Sequence, residues 1–125
     1  MDILISNASS EPIYQQIADQ IQRLILSGGL KPGEALPSMR LLAKELRISV
    51  ITTKRAYEEL ESAGFIESVA GKGCFVSAQS PAMLHDLRLY MAEEHLRKAV
   101  EVAQTGGISL AEMVELMTVL YEEEP

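Results

Sequence analysis

The fold is decided by residues 36–64, LPSMRLLAKELRISVITTKRAYEELESAG. Ser38 and Ser49 each stand just before a run of apolar residues at helical spacing. Serine is a favoured N-cap because its hydroxyl accepts a hydrogen bond from a backbone N–H of the first turn. Arg47-Ile48 separates the two runs. Gly64 suits the left-handed position just past the end of the second helix. The stretch therefore predicts two short helices joined by a tight turn.

A glycine-bounded hairpin is predicted after these two helices. Residues 65–69 and 74–76 are rich in β-branched and aromatic residues, and they flank Ala70-Gly71-Lys72-Gly73, which indicates a turn with a lysine at its tip. The second helix carries small polar and basic side chains near its start. Two helices and a hairpin in this order make a winged helix-turn-helix, whose second helix can enter the major groove of DNA.

An amphipathic helix is predicted upstream of this unit. Pro12 fits a first helical turn, because its missing N–H is not needed there, and Gly28-Gly29 ends the run. Residues 1–9 are expected to form an extended lead, and residues 30–34 a Pro-Gly turn. One face of the helix should close the core, and it carries Ile13, Ile17, Ile21, Leu24 and Ile25. The residues expected opposite this face are Leu41, Leu42, Leu46 and Leu60.

Two further helices are predicted after a polar linker at residues 77–81. The first runs from about residue 82 to residue 104 and ends at Thr105-Gly106-Gly107. The second begins with Ser109 and Glu112 at the spacing of a capping box. A tail this short cannot bury its own apolar residues, so we expect a symmetric homodimer, with a tail folded back on its own monomer as the alternative. The candidate dimer-interface residues are Leu84, Leu87, Met91, Leu110, Met113, Val114, Met117, Leu120 and Tyr121.

The predicted fold class is mainly α with a small β-hairpin, in two domains. Residues 1–78 form an N-terminal winged helix-turn-helix, and residues 79–125 form a short C-terminal two-helix dimerisation domain. The net charge of −7 is divided unequally between them. Residues 1–78 hold eight Lys/Arg and nine Asp/Glu, whereas residues 79–125 hold three and nine. The acidic excess therefore lies in the tail, and the candidate DNA-binding half is nearly neutral, which is compatible with docking on DNA.

Composition excludes several other classes of protein. No apolar run approaches the roughly 20 residues that cross a bilayer, and the first residues lack the positive region of a secretory signal. The single cysteine, Cys74, permits no internal disulfide, so we expect a cytoplasmic protein with no membrane partner. His85 and His95 do not share a helix face, and no catalytic, cofactor or metal constellation is present. The sequence predicts that the chain is not an enzyme and has no cofactor.

Residues 12–76 resemble the GntR family of bacterial transcriptional regulators. Five motifs occur in the family's order and spacing, namely Pro12-Ile13-Tyr14-Gln15-Gln16-Ile17, Leu30-Lys31-Pro32-Gly33, Leu36-Pro37-Ser38-Met39-Arg40-Leu41-Leu42-Ala43, Lys54-Arg55-Ala56-Tyr57-Glu58-Glu59-Leu60, and Gly71-Lys72-Gly73 followed by Phe75-Val76. The short helical tail is similar to that of the YtrA-type subfamily. The resemblance implies a repressor that binds a palindromic operator in double-stranded DNA as a homodimer and controls a transporter operon.

Candidate DNA contacts come from helical spacing and from this resemblance. Thr53, Ala56, Tyr57 and Leu60 recur at three- and four-residue steps and should face the core, which leaves the other side of the helix for DNA. The resemblance implies two further DNA contacts, from Arg40 and from the tip of the wing. This chain departs from the family pattern at Val50, where many relatives carry arginine. The full set is Ser38, Arg40, Ser49, Val50, Ile51, Thr52, Lys54, Arg55, Gly71, Lys72 and Gly73.

Two alternative functions are compatible with the same sequence. One is a winged helix that binds a protein through its acidic helical tail. The other is a regulator that responds to a small ligand held at the dimer interface, although the sequence does not identify an effector. Salt-dependent binding to a palindromic duplex would distinguish a DNA reader from a protein-binding module.

Overall fold

The computed structural model describes residues 1–78 and 81–123 of the chain. The chain divides into two compact units, Met1–Leu84 and His85–Pro125. Gln79 and Ser80 of the predicted linker, and Glu124 and Pro125 of the predicted acidic end, lie outside the described residues.

The first helix, α1, spans Ile13–Ser27 and confirms the predicted amphipathic segment. Its buried face includes Ile17, Ile21 and Ile25. Pro12 lies one position outside the helix, as the N-cap, where its carbonyl accepts the backbone N–H groups of the third and fourth residues that follow. Gly28 ends the helix with φ of 86°, a left-handed conformation that glycine adopts without the steric cost of a Cβ.

The lead was predicted to be extended over residues 1–9, but the chain turns from residue 7 onward, and two glutamine side chains hold its first part against α1. Gln20 donates to the backbone carbonyl of Leu4 at 2.7 Å and accepts its N–H at 2.9 Å. Gln16 makes the same pair of bonds with Ser6, at 3.1 and 2.8 Å. Ile3 is buried beside them. The two side-chain amides bond the backbone of the lead in the way that a neighbouring β-strand would. The sequence did not predict this arrangement.

The next two helices, α2 (Met39–Leu46) and α3 (Val50–Ser62), form the predicted pair. Both serine caps are confirmed, because Ser38 Oγ accepts the N–H of Leu41 at 3.1 Å and Ser49 Oγ accepts that of Thr52 at 3.2 Å. The turn between the helices depends on Arg47, whose φ of 57° makes it the one non-glycine residue with positive φ in the described chain. Its backbone N–H closes the end of α2 onto Ala43 and Lys44.

The core of this unit confirms most of the predicted apolar positions and corrects one. Ile17, Ile21, Leu42 and Leu60 are buried, but Leu41 is 47% exposed. A helix of eight residues has room for one inward stripe, and Leu41 lies about 100° around the axis from Leu42. The expectation that Leu41 belongs to the core was therefore wrong.

The predicted hairpin is present with shifted boundaries. Strands β1 (Ile66–Val69) and β2 (Gly73–Val76) pair antiparallel, with Ile66 opposite Val76 and Val69 opposite Gly73. Gly73 was predicted in the turn but lies in β2, because the backbone N–H of Lys72 already closes the turn on the carbonyl of Val69 at 2.9 Å.

A third extended segment follows the outer edge of β2. Ala35 forms an isolated antiparallel bridge with Phe75, and the N–H of Leu36 donates to the carbonyl of Cys74 at 2.9 Å. The sequence predicted the turn over residues 30–34, which a hydrogen bond from the N–H of Glu34 to the carbonyl of Lys31 closes. It did not predict that the chain then joins the hairpin, because this pairing connects residues about 40 positions apart.

The tail contains α4 (Pro81–Gly106) and α5 (Leu110–Glu122). The break was predicted at residues 105–107, but α4 continues through Gly106, and Gly107, with φ of 72°, ends it. The capping box between Ser109 and Glu112 is confirmed in both directions. In the described residues no helix combines the length and the apolar character needed to span a membrane.

Candidate DNA-binding surface

The first turn of α3 is the centre of the candidate surface. Ser49 Oγ accepts the N–H of Thr52 and also lies 2.9 Å from Thr52 Oγ1. Val50 and Ile51 project outward and are 43% and 79% exposed. This capped turn therefore combines hydroxyl groups with two exposed β-branched side chains.

The opposite face of α3 is buried, as its spacing predicted. Thr53, Ala56, Tyr57 and Leu60 all lie in the core. Because this face is fixed against the rest of the unit, the orientation of the exposed face is fixed as well. Of the predicted outer residues, only Thr52 is half-buried.

Tyr57 connects α3 to the chain that enters α2. Its hydroxyl donates to the backbone carbonyl of Pro37 at 2.8 Å, one residue before the Ser38 cap. Burial, above all, raises the pKa of Tyr57 well above its ordinary value, and the charges of Cys74 and Glu45 add to the effect. The hydroxyl is therefore protonated at neutral pH and remains a donor. Sequence spacing identified Tyr57 as a core residue but did not indicate this bond.

The two cations of α3 both have partners within the chain. Lys54 Nζ lies 3.9 Å from Glu58 Oε1, one helical turn further along, and both side chains are largely exposed. The guanidinium of Arg55 lies 3.8 Å above the ring centroid of Tyr14 in α1 and donates to its hydroxyl at 3.2 Å. Tyr14 is a residue that sequence reasoning missed as part of the site. Its sequence signals are an aromatic side chain at the start of α1 and its place in the first of the five family motifs.

Arg40 is exposed on the first turn of α2. Glu45 lies five residues further along the same helix, but within residues 1–78 and 81–123 no ion pair forms between Glu45 and Arg40. The side chain is therefore available for an external anion.

The tip of the wing is exposed from Ala70 to Gly73. Gly71 and Gly73 have φ of 75° and 108°, so both require a conformation that side chains rarely adopt. Lys72 lies between them with its side chain in solvent. All the candidate DNA contacts thus lie in the unit Met1–Leu84.

The apolar residues of the tail show two levels of exposure. Leu84, Leu87 and Met91 are half-buried, as is Met113 in α5. The other α5 candidates are exposed, from Met117 at 47% to Tyr121 at 90%. None of the described residues of α5 is buried.

The His, Cys and acidic side chains of the described residues were predicted to form no metal site. No group of three or more His, Cys, Asp or Glu side chains comes together there in a way that could hold a metal ion. His85 and His95 are both exposed on α4. Cys74 is half-buried in β2, with its sulfur 3.5 Å from Ser68 Oγ.

The fold is that of a winged helix-turn-helix regulator. It consists of the capped helix α3, the helices α1 and α2, and the glycine-bounded wing. The family model described as bacterial regulatory proteins, gntR family, matches residues 13–76. The chain belongs to the GntR family and, within it, to the YtrA-type subfamily. It is a DNA-binding transcriptional regulator and not an enzyme.

Three relatives illustrate this membership. The HTH-type transcriptional repressor YtrA of Bacillus subtilis is 37% identical over 113 residues, which cover 90% of this chain and 87% of that protein. The structure of YtrA from Sulfolobus acidocaldarius is 40% identical, covers 74% of this chain and 97% of its own, and superimposes with a TM-score of 0.59. The DNA-binding domain of AraR in complex with operator ORX1 is 29% identical, covers 62% of this chain and 96% of its own, and has a TM-score of 0.55.

Proposed function

We propose that this chain is a sequence-specific repressor that binds a palindromic operator as a homodimer in the cytoplasm. The observation that carries the proposal is the first turn of α3, where a serine cap is followed by exposed Val50 and Ile51 beside Thr52. The N-terminal residues of a recognition helix contact base edges in the major groove. The related AraR domain was solved with an operator, which supports the same docking for this chain.

Roles can be proposed for the candidate contacts other than Val50 and Ile51. Thr52 bonds a phosphate or a base edge, and Lys54 exchanges Glu58 for a guanine or a phosphate. Arg40 extends the contact from α2. Lys72 at the wing tip contacts a phosphate or the minor groove, together with the backbone of Gly71 and Gly73. Ser38 and Ser49 contribute to DNA binding through the N-termini of the helices that they cap. Arg55 contributes a contact from the position in which Tyr14 holds its guanidinium.

The homodimer is inferred from the exposed apolar face of α5. Leu110, Val114, Met117 and Leu120 are each about half or more exposed. Burying one such side chain stabilises an interface by about 1.5–3 kcal/mol, before the cost of association. A two-fold interface through the tail would match the two half-sites of a palindrome.

The regulated genes are inferred from the subfamily alone. YtrA-type regulators commonly lie beside transporter genes and repress their own operon, so we propose a transporter operon as the target. A protein-binding winged helix and a regulator with a ligand at the dimer interface are the alternatives to this proposal.

The test is selection of a preferred duplex from a random pool, followed by titration. We expect two half-sites in inverted repeat, protected together, with Kd rising steeply with salt. Arg40→Ala, Thr52→Ala and Lys54→Ala should each weaken binding to the selected duplex by about 1–3 kcal/mol if the side chain makes a good base contact. Lys98→Ala, in exposed α4, is the matched control and should bind like the parent. Failure to select any sequence would contradict the proposal.

A further inference from the structure

The N-terminal tip of α3 is apolar where it is most exposed. Ile51 is 79% exposed and Val50 is 43% exposed, on adjacent positions of the first turn. β-Branched side chains have one strongly preferred χ1 rotamer in a helix, so they lose little freedom when a ligand covers them. An exposed pair of this kind has no role in the core of its own unit, whose α3 contacts come from the opposite face.

The polar groups around this tip are already engaged within the chain. Ser49 Oγ and Thr52 Oγ1 are hydrogen-bonded to each other. Lys54 is paired with Glu58, and the guanidinium of Arg55 lies against Tyr14. The first turn of α3 itself contains no cation, and its exposed surface includes this pair of aliphatic side chains.

We propose that Val50 and Ile51 recognise thymine methyl groups, so that each operator half-site carries thymine where it faces the first turn of α3. This inference rests on the proposed function and names the base feature that the site reads. The C5-methyl group is the apolar mark of thymine in the major groove. Aliphatic side chains gain by covering it and gain nothing from the bare edge of uracil or cytosine.

The direct test replaces single thymines by deoxyuridine in the duplex selected by the full-length chain. This substitution removes one methyl group and leaves the base pairing unchanged. We expect at least one thymine per half-site at which Kd rises about fourfold, the effect of one buried methyl-sized group, and thymines outside the half-sites at which it does not change. Half-sites without thymine, or a uracil scan without effect on a duplex that is still bound specifically, would overturn the inference and leave the proposed function intact.

Variants then assign the effect to the two side chains. Ile51→Ala and Val50→Ala should weaken binding to the thymine duplex and reduce the uracil-to-thymine ratio of Kd towards one, as the coupling in a double-mutant cycle. Lys72→Ala should weaken both duplexes equally, because its proposed contact is not to the methyl group. If both apolar variants keep the fourfold ratio, other residues read the methyl and the inference fails. If no duplex is preferred at all, both the inference and the proposed function are overturned.

Discussion

At the residue scale, two tyrosines position parts of the candidate DNA-binding surface. Tyr57 ties α3 to the carbonyl of Pro37, and Tyr14 carries the guanidinium of Arg55. Neither tyrosine is among the candidate DNA contacts. Each of them instead fixes the position of a helix or a side chain that is a candidate DNA contact.

Removing the Tyr57 hydroxyl should destabilise the protein in a pH-dependent way. Tyr57→Phe leaves the Pro37 carbonyl without this donor, so the free energy of unfolding should fall by about 1 kcal/mol at pH 7. The pKa of Tyr57 is raised in the folded state, so its contribution is fully present below the unfolded pKa of about 10 and is lost as pH rises towards the folded value. The difference between parent and variant should therefore shrink above pH 10.

Urea unfolding followed by circular dichroism between pH 7 and pH 11 measures this difference. Tyr90→Phe is the control, since Tyr90 is 62% exposed on α4. A constant difference between parent and Tyr57→Phe across this range would contradict the assignment of a buried, neutral hydroxyl.

The contact between Tyr14 and Arg55 should appear as a coupling energy. An exposed cation–π contact is worth about 0.5–1 kcal/mol. Tyr14→Leu and Arg55→Ala should each lower the free energy of unfolding, and the double variant should lose less than the sum by about this amount. Tyr14→Phe keeps the ring and should retain most of the coupling. Additive losses would show that the two side chains do not interact in solution.

At the scale of elements, the wing and α3 are expected to make different kinds of contact with DNA. The first turn of α3 offers side chains that can distinguish bases, whereas the wing offers one lysine between two glycines with positive φ. A cation at an exposed tip suits the phosphate backbone, which carries no base information.

Lys72→Ala should therefore weaken binding to every duplex by a similar factor. The plot of log K against log salt should become shallower by about one unit per chain, as for the loss of one phosphate contact. Titration of selected and random duplexes at several salt concentrations measures both quantities. A change in sequence preference with an unchanged salt slope would instead mean that the wing reads bases.

At the scale of the whole molecule, charge and exposed apolar surface are both concentrated in the tail. Residues 79–125 carry three basic and nine acidic side chains, and α5 has no buried residue among those described. The acidic charge should lower non-specific attraction to DNA, and the exposed apolar face is the basis of the proposed dimer.

A charge on that face should dissociate the proposed dimer. Leu110, at 79% exposure, can be changed to Glu without disturbing a core, and Met117→Glu lies two turns further along the same helix. Sedimentation equilibrium should give a dimer for the parent and a monomer for each variant. Glu115→Gln, also exposed on α5, is the control and should remain dimeric. A monomeric parent at micromolar concentration would contradict the dimer.

The sequence alone determined the features that depend on neighbouring residues. The serine caps at residues 38, 49 and 109, the glycine stops at residues 28 and 64, and the periodic core face of α3 are all present as predicted. Each depends on hydrogen bonds or side-chain spacing within about one helical turn, so the local pattern contains the necessary information.

Only the tertiary structure decided the contacts between residues far apart in the chain. The edge pairing of Ala35 with Phe75, the glutamine pairing of the lead, the bond from Tyr57 to Pro37 and the position of Arg55 on Tyr14 connect segments about 10 to 41 residues apart. The exposure of Leu41 was misjudged for the same reason. Which of two adjacent leucines is buried depends on where α1 and α3 lie, and helical spacing does not contain that information.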